Sequence, residues 1–279
     1  MLHPHPLSRG FLLRPERVKA AIRLPGGMYW LLLACLLAWP AGGLVQNPQN
    51  PEVLCAEIPP MCFNTPRGPS GFVYEIGLEL QRRLGRTMPI RVVPLARMWA
   101  SVQRNVPVVS LWVGRTPERE EYTVWIAPLL HDALSVYTLK GRAPADSLTQ
   151  VRRLRRIGVN LLSANLSAAR LHGLDNTEAH DSDEINGRML LHWRIDGWIS
   201  TRASVRHFVR EQDLSPDAVV RGFLLADYLA YLAASRAVDV NEIALWRKAF
   251  QGMIRDGTYL AILKKYGVRE VAVGGAGFS

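Results

Sequence analysis

Short apolar runs with strand character alternate along residues 52–267 with segments whose apolar positions recur every three or four residues. Residues 52–57 read as a strand and lead into a loop carrying Pro59, Pro60, Pro66 and Pro69. From Gly71, the residues Phe72, Ile76, Leu80 and Leu84 fall at i, i+4 spacing, and Gly85 ends that helix. A strand over 89–95, a short helix over 96–105 with Met98 and Trp99, and a buried strand over 106–113 follow. Further strands are expected over 124–127, 133–139, 157–161, 197–200, 219–225 and 228–233, with 177–180 as an edge strand. Helices are expected from the Ser147 cap to Arg155, over 163–174, and over 203–212. Another over 183–194 is expected to bury Ile185, Met189, Leu190 and Trp193. The longest, over 240–255, puts Leu245, Ala249 and Met253 on one stripe with Trp246, Phe250 and Ile254 beside it. A last helix over 259–266 has Gly267 as its C′ residue. The alternation indicates an α/β protein, and no internal repeat is visible.

The N-terminus changes the picture. Arg9, Arg14, Arg17, Lys19 and Arg23 precede an apolar run from Met28 to Trp39, too short for a membrane-spanning helix and suited to a signal h-region. Ala41-Gly42-Gly43 supplies small residues for cleavage, so 1–43 reads as a leader and 44–51 as a linker. Met28 is an alternative start, a lipoprotein box ending at Cys35 an alternative use of the run, and an uncut anchor a third. Export to the periplasm is the expectation. The net charge of +10 over 279 residues includes +4 from 1–43, which hold five basic residues and Glu16. The densest cluster, Arg152, Arg153, Arg155 and Arg156, has no interleaved aromatic residues, so a nucleic-acid partner is not expected. Cys55 and Cys62 remain for the exported chain, either as a disulfide or as two thiols.

One segment carries candidate chemistry. An apolar run ends in the turn Thr116-Pro117-Glu118-Arg119, and a short strand follows. That order puts Arg119 at the mouth of a sheet, where a guanidinium can hold a carboxylate through two parallel hydrogen bonds. The alternative is surface pairing with Glu118, Glu120 or Glu121. The histidines are scattered, and His180–Glu184 reads as a solvated turn rather than a metal site. There is no phosphate loop and no nucleophile elbow, and no cofactor is expected.

Residues 52–267 resemble the bacterial solute-binding proteins of family 3, the polar amino-acid type, in a divergent orphan branch. The resemblance rests on Gly71-Phe72-Val73-Tyr74-Glu75, Pro94-Leu95-Ala96-Arg97, Arg115 to Arg119, Arg194-Ile195-Asp196, Asp256-Gly257-Thr258-Tyr259 and Lys264 to Gly267. It implies a type II periplasmic binding fold: two lobes, each a mixed central sheet flanked by helices, joined by two hinge crossings. Lobe one would span 52–132 plus 230–270, lobe two 133–229, and 271–279 would be a flexible tail. A small solute would sit between the lobes of a monomer, for hand-over to an ABC permease or a sensor. Arg119 matches the family's carboxylate-holding arginine. Trp112 matches a cleft-facing position, with ordinary core as the alternative, and Arg97 either faces the cleft or braces its lobe. Glu57 stands at a strand end near the expected cleft.

Some positions depart from the family pattern. The Gly-Thr-Thr turn that opens a lobe-two helix reads Leu162-Ser163-Ala164-Asn165, where Ser163 can still serve. Thr201 stands where the family's amine-binding aspartate would be, which speaks against an ordinary α-amino acid. Trp198 replaces a small residue and suggests an aromatic wall or a partly filled cleft. The expectation is a non-enzymatic receptor for a carboxylate-bearing solute. A dehydratase-like lyase using Glu57 or Glu75, and an interaction protein that has lost its ligand, are the alternatives.

Overall fold

The computed structural model describes residues 50–142, 145–268 and 271–272. The leader expected over 1–43, nearly all of the linker and the tail beyond Ala272 lie outside them.

Strand β1 (Glu52–Ala56) opens the fold. The proline-rich loop after it holds a hairpin, β2 (Phe63–Thr65) and β3 (Gly68–Ser70), paired antiparallel. Three-residue strands are too short to show a period in sequence. A disulfide joins Cys55 to Cys62, with Cα atoms 6.2 Å apart, and ties the end of β1 to the base of this hairpin. Replacing both cysteines with alanine is expected to cost about 2–3 kcal/mol of stability, because the unfolded chain regains the freedom of a short loop. Urea unfolding measures it, and an unchanged midpoint would show that the staple is dispensable.

Helix α1 (Phe72–Arg83) has no side-chain cap. Its first N–H groups, on Phe72, Val73 and Tyr74, instead donate to the carbonyls of Pro60 and Met61 at 3.0–3.3 Å. This closure requires Gly71, whose φ is 123° and where a Cβ would meet the Met61 carbonyl oxygen at 2.1 Å.

The chain continues through β4 (Ile90–Val93), α2 (Leu95–Gln103) and β5 (Val108–Gly114), then a 3₁₀ turn at Pro117–Arg119. Next come β6 (Thr123–Leu139), α3 (Leu148–Arg153), β7 (Ile157–Asn160), α4 (Ala164–Leu171) and β8 (Thr177–His180). Then α5 (Asp183–Leu191), β9 (Gly197–Thr201), α6 (Arg202–Glu211) and β10 (Val219–Ser235) follow. The described chain ends with α7 (Val240–Arg255), α8 (Thr258–Lys265) and β11 (Val271–Ala272).

The main sheet runs β4-β1-β5-β10-β6-β9-β7-β8, with β11 added against β6. Its two outer blocks, β4-β1-β5 and β9-β7-β8, are parallel, and an antiparallel pair of 17-residue strands, β6 and β10, joins them. Within each block the first strand lies between the second and the third, and the third pairs with one long strand. The two lobes therefore share a topology that leaves no trace as a sequence repeat. The expected short strands on either side of residues 128–132 and 226–227 merge into β6 and β10. Pairing survives the interruption by shifting register, once beside Pro128, which has no N–H for the ladder.

Burial corrects two helix faces. Ile185 and Trp193 are exposed, and α5 instead buries Asp183, Asn186, Gly187 and Leu190. On α7 the inward stripe is Ile243, Trp246, Ala249, Phe250 and Met253, while Leu245 faces solvent. A tryptophan offers more apolar area to bury than a leucine, so it decides the rotation of the helix.

Candidate functional site

The carboxyl ends of both parallel blocks meet at one cavity. Ile58 follows β1, Leu95 opens α2 after β4, and Gly114 ends β5. Opposite them, Asn160 ends β7, Asp183 opens α5 after β8, and Thr201 ends β9. Strand ends of open α/β sheets leave unpaired backbone groups and helix N-termini at such a crevice. The cavity measures about 30 Å³, room for little more than a water molecule.

Contacts across the cavity hold this closed arrangement. Arg119 is 6% exposed; its Nη1 donates to the Gly114 carbonyl at 2.8 Å and its Nη2 to the Leu162 carbonyl on the opposite wall at 2.7 Å. Its guanidinium lies 4.8 Å from the Trp99 ring centre. Leu162 takes a left-handed φ of 54° at the turn where the family pattern has glycine. Ser204 Oγ donates to the Pro59 carbonyl at 3.2 Å, and the Phe63 and His207 rings meet at 5.3 Å.

Of the residues singled out in the sequence, Arg119, Trp112 and Ser163 line this cavity. Trp112 is buried and packs edge-on against Phe72 at 5.9 Å. Ser163 caps α4: its Oγ accepts from the Leu166 N–H at 3.3 Å and donates to the Asn160 carbonyl at 2.5 Å. Glu57, Arg97 and Trp198 are not brought there. Glu57 is exposed and accepts from Asn64 Nδ2 at 3.1 Å. Arg97 is exposed on α2, and Leu95 of the same element faces the cavity instead. Trp198 is a correction: it is fully buried, packed on Phe208 at 5.6 Å, and makes no aromatic wall. It enters the site only through its indole N–H, which donates to Asp183 Oδ1 at 3.0 Å. Glu75 also lies elsewhere, accepting from Lys265 Nζ and Tyr266 Oη at 2.6 Å each.

Asp183 is the cleft residue that sequence reading missed. The segment expected to be a solvated turn sends this carboxylate inward, where it is 7% exposed. Ser200 Oγ donates to Oδ1 at 2.9 Å, beside the Trp198 N–H. The helix expected from residue 183 does begin there, with Ser182 as its N-cap, Oγ accepting from the Ile185 N–H at 3.2 Å; what the pattern does not carry is that its first carboxylate turns inward.

Burial pushes the Asp183 carboxyl above its ordinary value of 3.8, against the hydrogen bonds that favour its ionised form. The folded chain therefore holds this proton more tightly than the unfolded chain. The resulting stability is complete below about pH 3.8 and is lost as pH rises through the folded-state value. Asp183→Asn keeps an oxygen for Trp198 and Ser200 but has no proton to lose. Its stability relative to the native protein should grow between pH 4 and pH 8 in urea titrations, and a constant difference would refute this environment.

A model of the bacterial extracellular solute-binding proteins, family 3, matches residues 53–269. The chain belongs to that family. This membership makes it a solute-binding protein, with the two-lobed fold described above. Family members bind small solutes and are extracellular. Among solved structures, an ABC uptake transporter substrate-binding protein from Streptococcus pneumoniae with bound histidine is 15% identical, with a TM-score of 0.71 over 82% of this chain and 97% of that one. An ArgBP mutant from T. maritima is 17% identical, with a TM-score of 0.67 over 77% and 95%. A histidine kinase sensor domain with similarity to periplasmic binding proteins is 17% identical, with a TM-score of 0.69 over 79% and 97%. No curated protein matches in sequence.

Proposed function

We propose that this family 3 protein is a monomeric periplasmic receptor. It captures a small carboxylate-bearing solute between its lobes and passes it to an ABC-type permease or reports it to a sensor. Lobe one is 52–132 with 230–270, lobe two is 133–229, and β6 and β10 carry the hinge. The observation that carries this reading is a buried guanidinium, Arg119, facing a buried carboxyl, Asp183, across one cavity. Arg119 receives the carboxylate and Asp183 receives a hydrogen-bond donor or cationic group, since Thr201 cannot neutralise a cation. Trp112 supplies the apolar wall, and Ser163 orients the turn that meets the carboxylate. The bound histidine of the similar streptococcal protein agrees with a solute of this amphoteric kind.

A solute that binds only the folded chain raises its unfolding midpoint by mass action. We expect a selective shift from solutes bearing a carboxylate and a donor group in a panel of amino acids, organic acids, polyamines and aromatic compounds. No shift across that panel would favour an interaction protein. A lyase reading now rests on Asp183 instead of Glu57 or Glu75, because a buried acid in a cleft is a candidate proton donor. Asp183→Asn separates the two: a receptor loses affinity, whereas a lyase keeps binding and loses turnover.

A further inference from the structure

A second concavity lies on the far side of α6. Thr201 and Ser204 face the cleft, whereas Arg202, Val205, Arg206, Val209 and Arg210 line a groove of about 600 Å³. That volume lies within the usual range for small-molecule sites. Residues three or four apart share a helix face, so Arg202, Val205, Arg206, Val209 and Arg210 fall on one side of α6 while Ser204 turns to the other, and one element serves both places.

The floor of the groove is apolar. Val205, Val209 and Val219 are buried there, with Leu214 beside them. Its rim is cationic. Arg202, Arg206 and Arg210 stand one turn apart along α6, and Arg221 reaches in from β10 with Nε donating to Ser135 Oγ at 3.1 Å. Among the described residues, Arg202, Arg206 and Arg221 have no acidic partner within ion-pair distance; Arg210 has Glu211 at 3.7 Å. Three guanidinium groups without an acidic partner, set over valines, leave charge and apolar area uncompensated together.

Tyr137 adds an independent observation. It lines the same groove, is 4% exposed, and its hydroxyl has no hydrogen-bond partner among the described residues. A buried donor left unpaired is unfavourable, because it has given up water for no partner. Burial, the leading cause, pushes the phenol up to about 12, so the proton is held through the ordinary pH range and the group stays a donor.

We propose that this groove is a second ligand site, which takes a small amphiphilic anion with its head between the arginines and its apolar body over the valines. The arginine forks supply charge-assisted bonds to a carboxylate or phosphate head. The Tyr137 hydroxyl gains the acceptor it lacks. The site is independent of the solute captured between the lobes.

The test titrates the full chain with decanoate below its micelle concentration, by calorimetry. Decanol is the neutral control, and anionic phosphatidylglycerol vesicles are the membrane control. Saturable binding of one decanoate at this groove is expected, with decanol at least tenfold weaker. Arg206→Glu and Arg221→Glu are each expected to weaken decanoate about tenfold or more, consistent with loss of a charge-assisted bond. Both residues are exposed, so these variants should fold, which circular dichroism checks. Tyr137→Phe should weaken decanoate several-fold without lowering the unfolding midpoint of the unliganded protein. Equal binding of decanol, insensitivity to both arginine variants, or binding to vesicles but not to monomeric decanoate would each overturn the proposal.

Discussion

Arg119→Ala is expected to reduce solute affinity at least a hundredfold, about 3 kcal/mol, with the fold retained. The guanidinium is buried, and its two terminal nitrogens already donate to carbonyls on opposite walls, Gly114 and Leu162. A carboxylate that displaces the Leu162 carbonyl would find donors aimed and desolvated, the setting in which a charge pair costs most to truncate. Arg119→Lys should recover less than a tenth of the affinity, since one ammonium cannot span two acceptors in a planar fork. Calorimetry with the solute that gives the largest midpoint shift measures both. Native affinity in Arg119→Ala would remove the residue from the site and leave it only a brace between the walls.

The second large effect concerns stability. Trp198→Ala should lower the unfolding free energy by about 3–5 kcal/mol, the range for deleting a fully buried aromatic side chain. The ring packs on Phe208, and its N–H supports Asp183, so truncation opens a cavity and removes a hydrogen bond together. Trp198→Phe keeps most of the packing and leaves Asp183 short of one donor, a smaller loss of about 1–3 kcal/mol. Thermal and urea unfolding report both changes. A Trp198→Ala protein of native stability with altered solute preference would restore the aromatic wall expected from sequence.

The site was legible where a residue's role depends on local order. The turn Thr116 to Arg119 brings its arginine to the end of β5, and Ser163 caps α4 because a hydroxyl there meets the N–H of Leu166. Trp198 and Asp183 were misread for a common reason. Whether a side chain on β9 or at the start of α5 faces the cleft depends on how those elements pack, and the alternation of a five-residue strand allows either face. The same holds for Arg97, read as either facing the cleft or bracing its lobe, and for Glu57: their neighbours Leu95 and Ile58 line the cavity.

The sequence by itself determined the alternation of strands and helices, the caps, the turn glycines and the presence of a paired cysteine spacing, because each follows from periodicity or local backbone chemistry. Only the tertiary structure decided that β6 and β10 run unbroken through both lobes, that Arg119 bridges the walls, and that Asp183 supplies the buried acid of the cleft. Those facts depend on which distant surfaces meet. The energies that select such contacts come from burial and pairing between segments far apart in the chain, and no window of neighbouring residues contains them.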